Sequence, residues 1–168
     1  MAGWSRVVAA VVALGFAGAG HGADTVVIAD SIPYADSADI QRKVREECTE
    51  LNGQFAAYIR QYAGERGVPV AFGDPAADSG RVLRVELTNA VSQGNAFLGH
   101  NKGTSSRGTL MQDGVKVAGF RATRYSMGGA FGGFKGSCSV LGRTVRAMGQ
   151  DIGTWLANPT DDAELGDR

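Results

Sequence analysis

The sequence predicts an α/β (α+β) domain: a mixed, mostly antiparallel sheet of about five strands with two helices packed on one face, in the order β-α-β-β-β-β-α. Three features lead there. Two stretches repeat apolar residues at three- and four-residue spacing, the buried stripe of an amphipathic helix: Ile40, Val44, Cys48, Leu51, Phe55, Ile59 and Tyr62, then Cys138, Leu141, Val145, Met148, Ile152 and Trp155. Between them, residues alternate with a period of two, most clearly where Leu83, Val85 and Leu87 oppose Arg84, Glu86 and Thr88. Asp113-Gly114 tolerates the left-handed backbone angles that a tight hairpin turn demands. A helix between the first two strands implies a parallel crossover, whereas the hairpin is antiparallel. Two amphipathic helices most simply cover one sheet face and leave the other to solvent.

Thr25 to Ala29 is an apolar run bounded by Asp24 and Asp30 and is expected to form the first, buried strand. Ser31 to Asp36, with Pro33, should turn the chain into a helix capped by Asp36 or Ser37 and running to about Ala63. Asn52-Gly53 could split that helix, since glycine costs about 1 kcal/mol in a helix interior. Val68–Phe72 and Arg81–Ala90 follow as strands, and Val91 to Lys102 reads as a loop or bulged strand. Strands at about Thr104–Gln112 and Val115–Arg124 flank the Asp-Gly turn, and a two-residue turn would put Leu110 on the same side as Val117. The last helix should span Ser137 to Ala157 and stop before Pro159, whose ring pushes Asn158 out of helical geometry.

The N-terminal residues address the compartment. Arg6 precedes the uncharged apolar run Val7 to Phe16, and Ala17-Gly18-Ala19-Gly20 supplies small side chains for a signal peptidase. Residues 1–22 therefore read as a secretory signal peptide, too short in its apolar centre for the roughly 20 residues of a membrane anchor. No cysteine lies near the cleavage region to carry a lipid. The expectation is a periplasmic or secreted chain with one domain over residues 24–157 and a disordered acidic tail over 158–168. The mature chain, about 145 residues, matches one domain of ordinary size.

Cys48 and Cys138 are the only cysteines, and an even pair in an oxidising compartment bonds. Both fall on the apolar stripes of their helices. A loop of that length is worth roughly 4–5 kcal/mol of unfolded-chain entropy. A redox role is disfavoured, because there is no Cys-x-x-Cys and the surroundings are apolar.

The full chain carries 17 basic and 17 acidic residues, so net charge points to no nucleic-acid partner. Their distribution is uneven. Lys116, Arg121, Arg124, Lys135, Arg143 and Arg146 occupy a stretch from Gly114 to Gln150 with no acid before Asp151. This segment could meet an anionic envelope polymer or lipid head group. It could equally pair with Glu46, Glu47, Glu50 or the acidic tail of the same chain.

Ser126 to Gly136 is glycine-rich but satisfies neither the phosphate-binding-loop pattern nor the dinucleotide pattern. Its Phe131 and Phe134, beside Lys135, suit contact with a partner. His100 has no nucleophile motif to serve, and no metal-ligand spacing is present. No catalytic, cofactor or metal residues are therefore assigned. The candidate partner-binding residues are Phe97, His100, Lys102, Arg121, Arg124, Phe131, Phe134 and Lys135.

Gly94-Asn95-Ala96-Phe97-Leu98-Gly99-His100 and the run Gly129 to Cys138 resemble segments of a set of uncharacterised exported proteins of Gram-negative bacteria. The order of elements is loosely similar to small α/β domains of envelope lipoproteins. The resemblance implies an envelope location and no activity to carry over. Together these features predict a non-enzymatic periplasmic or envelope-associated binding or assembly module without cofactor, its partner an envelope protein or an anionic polymer or head group. The alternative is a small secreted hydrolase, or a secreted factor acting outside the cell.

Overall fold

The structure, a computed structural model, describes residues 25–95, 99–126 and 136–167, with the backbone alone described at 93–95 and 99–101. The expected signal peptide lies outside the described residues. Among the described residues the elements are β1 (Val26–Ile28), β2 (Tyr34–Ile40), α1 (Arg42–Glu47), α2 (Leu51–Gly64), β3 (Val70–Phe72), β4 (Arg81–Asn95), β5 (Gly99–Gln112), β6 (Val115–Ser126), α3 (Ser137–Ala157) and β7 (Ala163–Gly166). They form a mixed sheet in the order β3-β1-β4-β5-β6-β7, with β2 also paired to β4. The long ladders, β4–β5 and β5–β6, are antiparallel, and the helices cover one face, as the residue pattern implies.

The expected crossover is present: β1 runs parallel to β3, with Val26 opposite Val70, and parallel to β4 on its other side. Val26 and Ile28 turn fully into the core. Residues 34–40 depart from expectation. They are a strand rather than a turn and helix cap, parallel to β4 from Tyr34–Leu87 to Ile40–Ala90. β1 spans three residues and β4 fifteen, so the rest of that β4 edge is left for β2 to satisfy. The strand is hard to read because it lies at an edge: Ala35 is buried, whereas Asp36, Ser37 and Asp39 stay exposed.

The helix break falls at Cys48–Glu50, not at Asn52-Gly53. Asn52 instead fastens α2 to the strand side, its Nδ2 donating to the Ile32 carbonyl at 2.6 Å while its own carbonyl accepts from Ile32 N–H. The Asp113-Gly114 turn is left-handed as expected, with φ of 49° and 79°. Asp113 also accepts the Gly80 N–H at 2.7 Å. The facing of the hairpin is corrected: Met111 pairs with Lys116 but Leu110 pairs with Ala118, so Val117 is an inserted bulge residue. Leu110 and Ala118 are buried, and Val117 is exposed. The tail is corrected as well. Residues 163–166 are the strand β7, parallel to β6 with Ala122 opposite Leu165, because the acids of the tail meet the bases of β6.

The core lies between sheet and helices, centred on Phe55, Ile59, Leu83, Leu87, Leu110, Met148 and Ile152. Phe120 meets Trp155 edge-on at 4.9 Å between centroids. The Cys48–Cys138 disulfide is formed, with 5.2 Å between Cα atoms. It joins the α1–α2 break to the first turn of α3. From there α2 and α3 run side by side in the same direction. Gln54 faces Gly142, Ile59 faces Gly149, and Ala63 faces Gly153. A β-carbon at Gly149 would lie 2.6 Å from Tyr58 Cβ, and one at Gly153 2.7 Å from both Ala63 N and Tyr62 C. The helices therefore touch backbone to backbone.

Two predictions follow from this packing. Gly153→Ala should lower stability by about 1–3 kcal/mol, because backbone atoms that cannot yield oppose the methyl group and outweigh the roughly 1 kcal/mol gain in helix propensity. Gly64→Ala, with nothing within 4 Å, should show only the gain; thermal denaturation of both variants measures the difference. Replacing Cys48 and Cys138 together by serine should cost about 2–5 kcal/mol, measured by urea titration of the oxidised parent and the double variant.

Candidate functional site

The basic residues between Gly114 and Gln150 fall into two groups. Lys116, Arg121 and Arg124 are matched by the tail: Lys116 Nζ lies 2.8 Å from Asp161, Arg121 Nη1 lies 3.4 Å from Glu164, and Arg124 Nη1 lies 2.7 Å from Asp167. Among the described residues Arg143 and Arg146 have no ion-pair partner, although Glu65 contributes to holding the Arg146 charge, and Lys135 lies outside the described residues.

Arg121 and Arg124 do not share a surface. An odd spacing along a strand puts them on opposite faces. Arg124 turns toward the helices and grips Asp151 of α3 with two parallel hydrogen bonds, both 2.7 Å. Its third donor reaches Asp167, whose second oxygen accepts the Tyr125 N–H at 2.8 Å. Arg124 thus joins α3, β6 and β7, with its guanidinium engaged within the protein. Lys102 is also drawn inward, only 7% exposed on the helix side of β5 and engaged within the protein. His100 lies on β5 opposite Gly94, its side chain not described. Phe97, Phe131, Phe134 and Lys135 lie outside the described residues. The flanks of both glycine-rich segments meet at one end of the sheet: Asn95 pairs with Gly99, Lys102 with Ser126, and Ser92 donates its hydroxyl to Ser137 at 2.8 Å.

Arg121 belongs to a different constellation. On the open sheet face Glu86 is opposite Arg107, Arg107 opposite Arg121, and Arg121 opposite Glu164. One row thus crosses four strands as acid, base, base, acid. Arg107 closes on Glu86 at 2.8 Å. Arg121, more exposed at 76%, holds Glu164 loosely. Like charges opposed across strands repel, and the outer carboxylates offset that repulsion. Nearby, Tyr125 lies over Gly103, where a β-carbon would come within 2.6 Å of its ring. The ring itself is half-exposed. Sequence reading missed Arg107 because cross-strand register is invisible along the chain.

A second feature lies on the helix side. Beside the disulfide, a groove of about 390 Å³ runs between α2 and α3. Glu47, Glu50, Gln54 and Tyr58 line one wall; Ser139, Gly142, Arg143 and Arg146 line the other. Arg146 Nε donates to the Tyr62 hydroxyl at 2.8 Å, which orients its guanidinium. The chemistry available there is recognition of charge. Among the described residues, no three His, Cys, Asp or Glu side chains gather to hold a metal ion.

The sequence matches no protein-family model and no curated protein. Solved structures do resemble the fold. A minor lipoprotein from Acinetobacter baumannii aligns with 80% of this chain and 91% of its own, at 12% identity and a TM-score of 0.50. PelC from Paraburkholderia phytofirmans, a dodecamer, aligns with 76% of this chain and 86% of its own, at 12% identity and a TM-score of 0.47. At such identity the likeness to the lipoprotein is one of fold. No helix among the described residues is long and apolar enough to cross a membrane.

The latch around Arg124 sets an acid limit. The Tyr125 N–H, and then Arg124, hold the Asp167 carboxyl below its ordinary range; Lys116 does the same for Asp161. A carboxylate depressed in the folded state stabilises fully above its unfolded pKa, about 3.9, and that stability is lost as pH falls through the native value. The melting temperature should therefore hold from about pH 7 to 5 and drop below about 4. In Asp167→Asn it should start lower at neutral pH and drop less steeply in acid.

Proposed function

We propose that the protein is a non-enzymatic module of the bacterial envelope that binds or assembles with an envelope protein through its open sheet face. The row Glu86–Arg107–Arg121–Glu164 carries this reading. Such a row in fixed register, with strands roughly 4.8 Å apart, suits a folded partner bearing opposed charges better than a mobile polymer does. Beside it, Tyr125 offers an aromatic surface of the kind enriched at interfaces. Three further observations support the compartment: the leader-like residues 1–22, a disulfide that oxidising surroundings favour, and the fold shared with a minor lipoprotein.

The test is photo-crosslinking in cells from a probe at Thr123, on the open face, compared with one at Arg60 on α2. A discrete adduct from Thr123 alone, lost in the Arg107→Glu/Arg121→Glu double variant while the melting temperature is kept, is the expected result. A cytoplasmic chain with reduced cysteines, or adducts insensitive to the charge reversal, would sink the reading.

A further inference from the structure

The groove between α2 and α3 has features that helix packing alone does not require. Farther along, glycines bring the two helices into backbone contact. At Gly142, by contrast, a β-carbon would meet only the tip of Gln54, at 3.4 Å. The missing side chain there opens space instead of permitting close approach. The groove's volume, about 390 Å³, falls within the range of small-molecule sites.

Its charges are also unspent. Arg143 and Arg146 stand on successive turns of α3, with Ser139 one turn before Arg143. Among the described residues Arg143 has no hydrogen-bond or ion-pair partner. Among the described residues Arg146 hydrogen-bonds only through its Nε, to Tyr62, so both terminal nitrogens remain available. An arginine oriented through Nε presents the paired donors that suit a phosphate or carboxylate. Across the groove Glu50 has no side-chain partner among the described residues, and Glu47 holds Lys43 only at 3.9 Å, the side chains of that pair being largely exposed. A simple anion would be repelled by these acids and a simple cation by the arginines. A ligand carrying both charges satisfies both walls.

We propose that this groove binds a small zwitterion, its phosphate or carboxylate held by Arg143, Arg146 and the Ser139 hydroxyl, and its ammonium by Glu50 and Glu47. Two sources supply such chemistry: a phosphoethanolamine head group and the termini of a short peptide. This site is separate from the open sheet face and does not depend on the partner proposed there.

The test is an NMR titration of the oxidised mature protein with phosphoethanolamine and with glycylglycine, alongside inorganic phosphate and ethanolamine as half-ligands. The expected result is saturable shifts at Ser139 to Arg146 with at least one zwitterion and binding about tenfold weaker for each half-ligand. Arg143→Gln and Glu50→Gln should each weaken the zwitterion about tenfold. Gly142→Leu should block the groove while leaving every charge in place. Arg60→Gln, whose side chain lies over Phe72 and outside the groove, should change nothing. Binding of phosphoethanolamine alone names the head group as the source, and binding of glycylglycine alone names the peptide. The proposal is overturned if neither zwitterion saturates by about 10 mM, if phosphate alone binds as tightly, or if Gly142→Leu binds normally. A melting curve and thiol count for each variant separate loss of binding from loss of fold.

Discussion

The parallel contact of α2 with α3 is the constraint on which the other features rest. The disulfide joins residues 90 apart in sequence, and the same separation recurs at Ile59–Gly149 and Ala63–Gly153. One register therefore runs from the covalent bond to the far turns of both helices. It cannot slide, because Gly149 and Gly153 sit against backbone. Dispersion and apolar burial depend on such close fit, with few voids larger than a water molecule. Near the bond the same pair of helices parts at Gly142, so one interface produces both the tightest packing and the groove.

With α3 held in place, the sheet beneath it is organised from the helix side. Thr104 donates to Thr144 at 2.9 Å, Thr144 in turn donates to the Leu141 carbonyl, and Ser106 lies 3.7 Å from Met148 Sδ. Buried hydroxyls stay inexpensive when bonded in this way. Farther along α3, Asp151 takes both forks of Arg124. That contact aligns Asp167 and closes the β6–β7 seam. The same alternation along the strand that sends Arg124 inward sends Arg121 outward, opposite Arg107.

How much of this could be read beforehand follows from where the pattern is local. The final helix was legible to the residue, because its apolar stripe is long and Pro159 ends it. The Asp113-Gly114 turn was legible because few residues tolerate its angles. The helix-facing side of β5 was not, since it presents Lys102, Thr104, Ser106 and Gly108 before Leu110, and no alternation of apolar residues marks it. The bulge at Val117 shifts the phase of β6 partway, so neither face reads as apolar along its length. β2 and β7 escaped detection for a related reason: edge strands carry polar residues whose fit is set by a distant partner. The contact residues chosen by sequence suffered likewise. Arg124 proved to be tied to Asp151 and Asp167, Arg107 became apparent only with cross-strand register, and Arg143 and Arg146, named only as part of a basic stretch, acquired a groove only with helix pairing.

The sheet ends in β3 on one side and β7 on the other, both short, and the longer edge strand β2 is polar instead, with Asp36, Ser37 and Asp39 exposed. β3 has three residues and β7 four, so each offers few unpaired amides to another chain. Edge strands are where sheets extend into fibrils, and short, charged edges resist that. Glu164 on β7 and the Phe72 ring beneath the Arg60 guanidinium on β3 add to that protection. At β3 and β7 the sheet therefore resists growth by strand addition, which favours association through its faces.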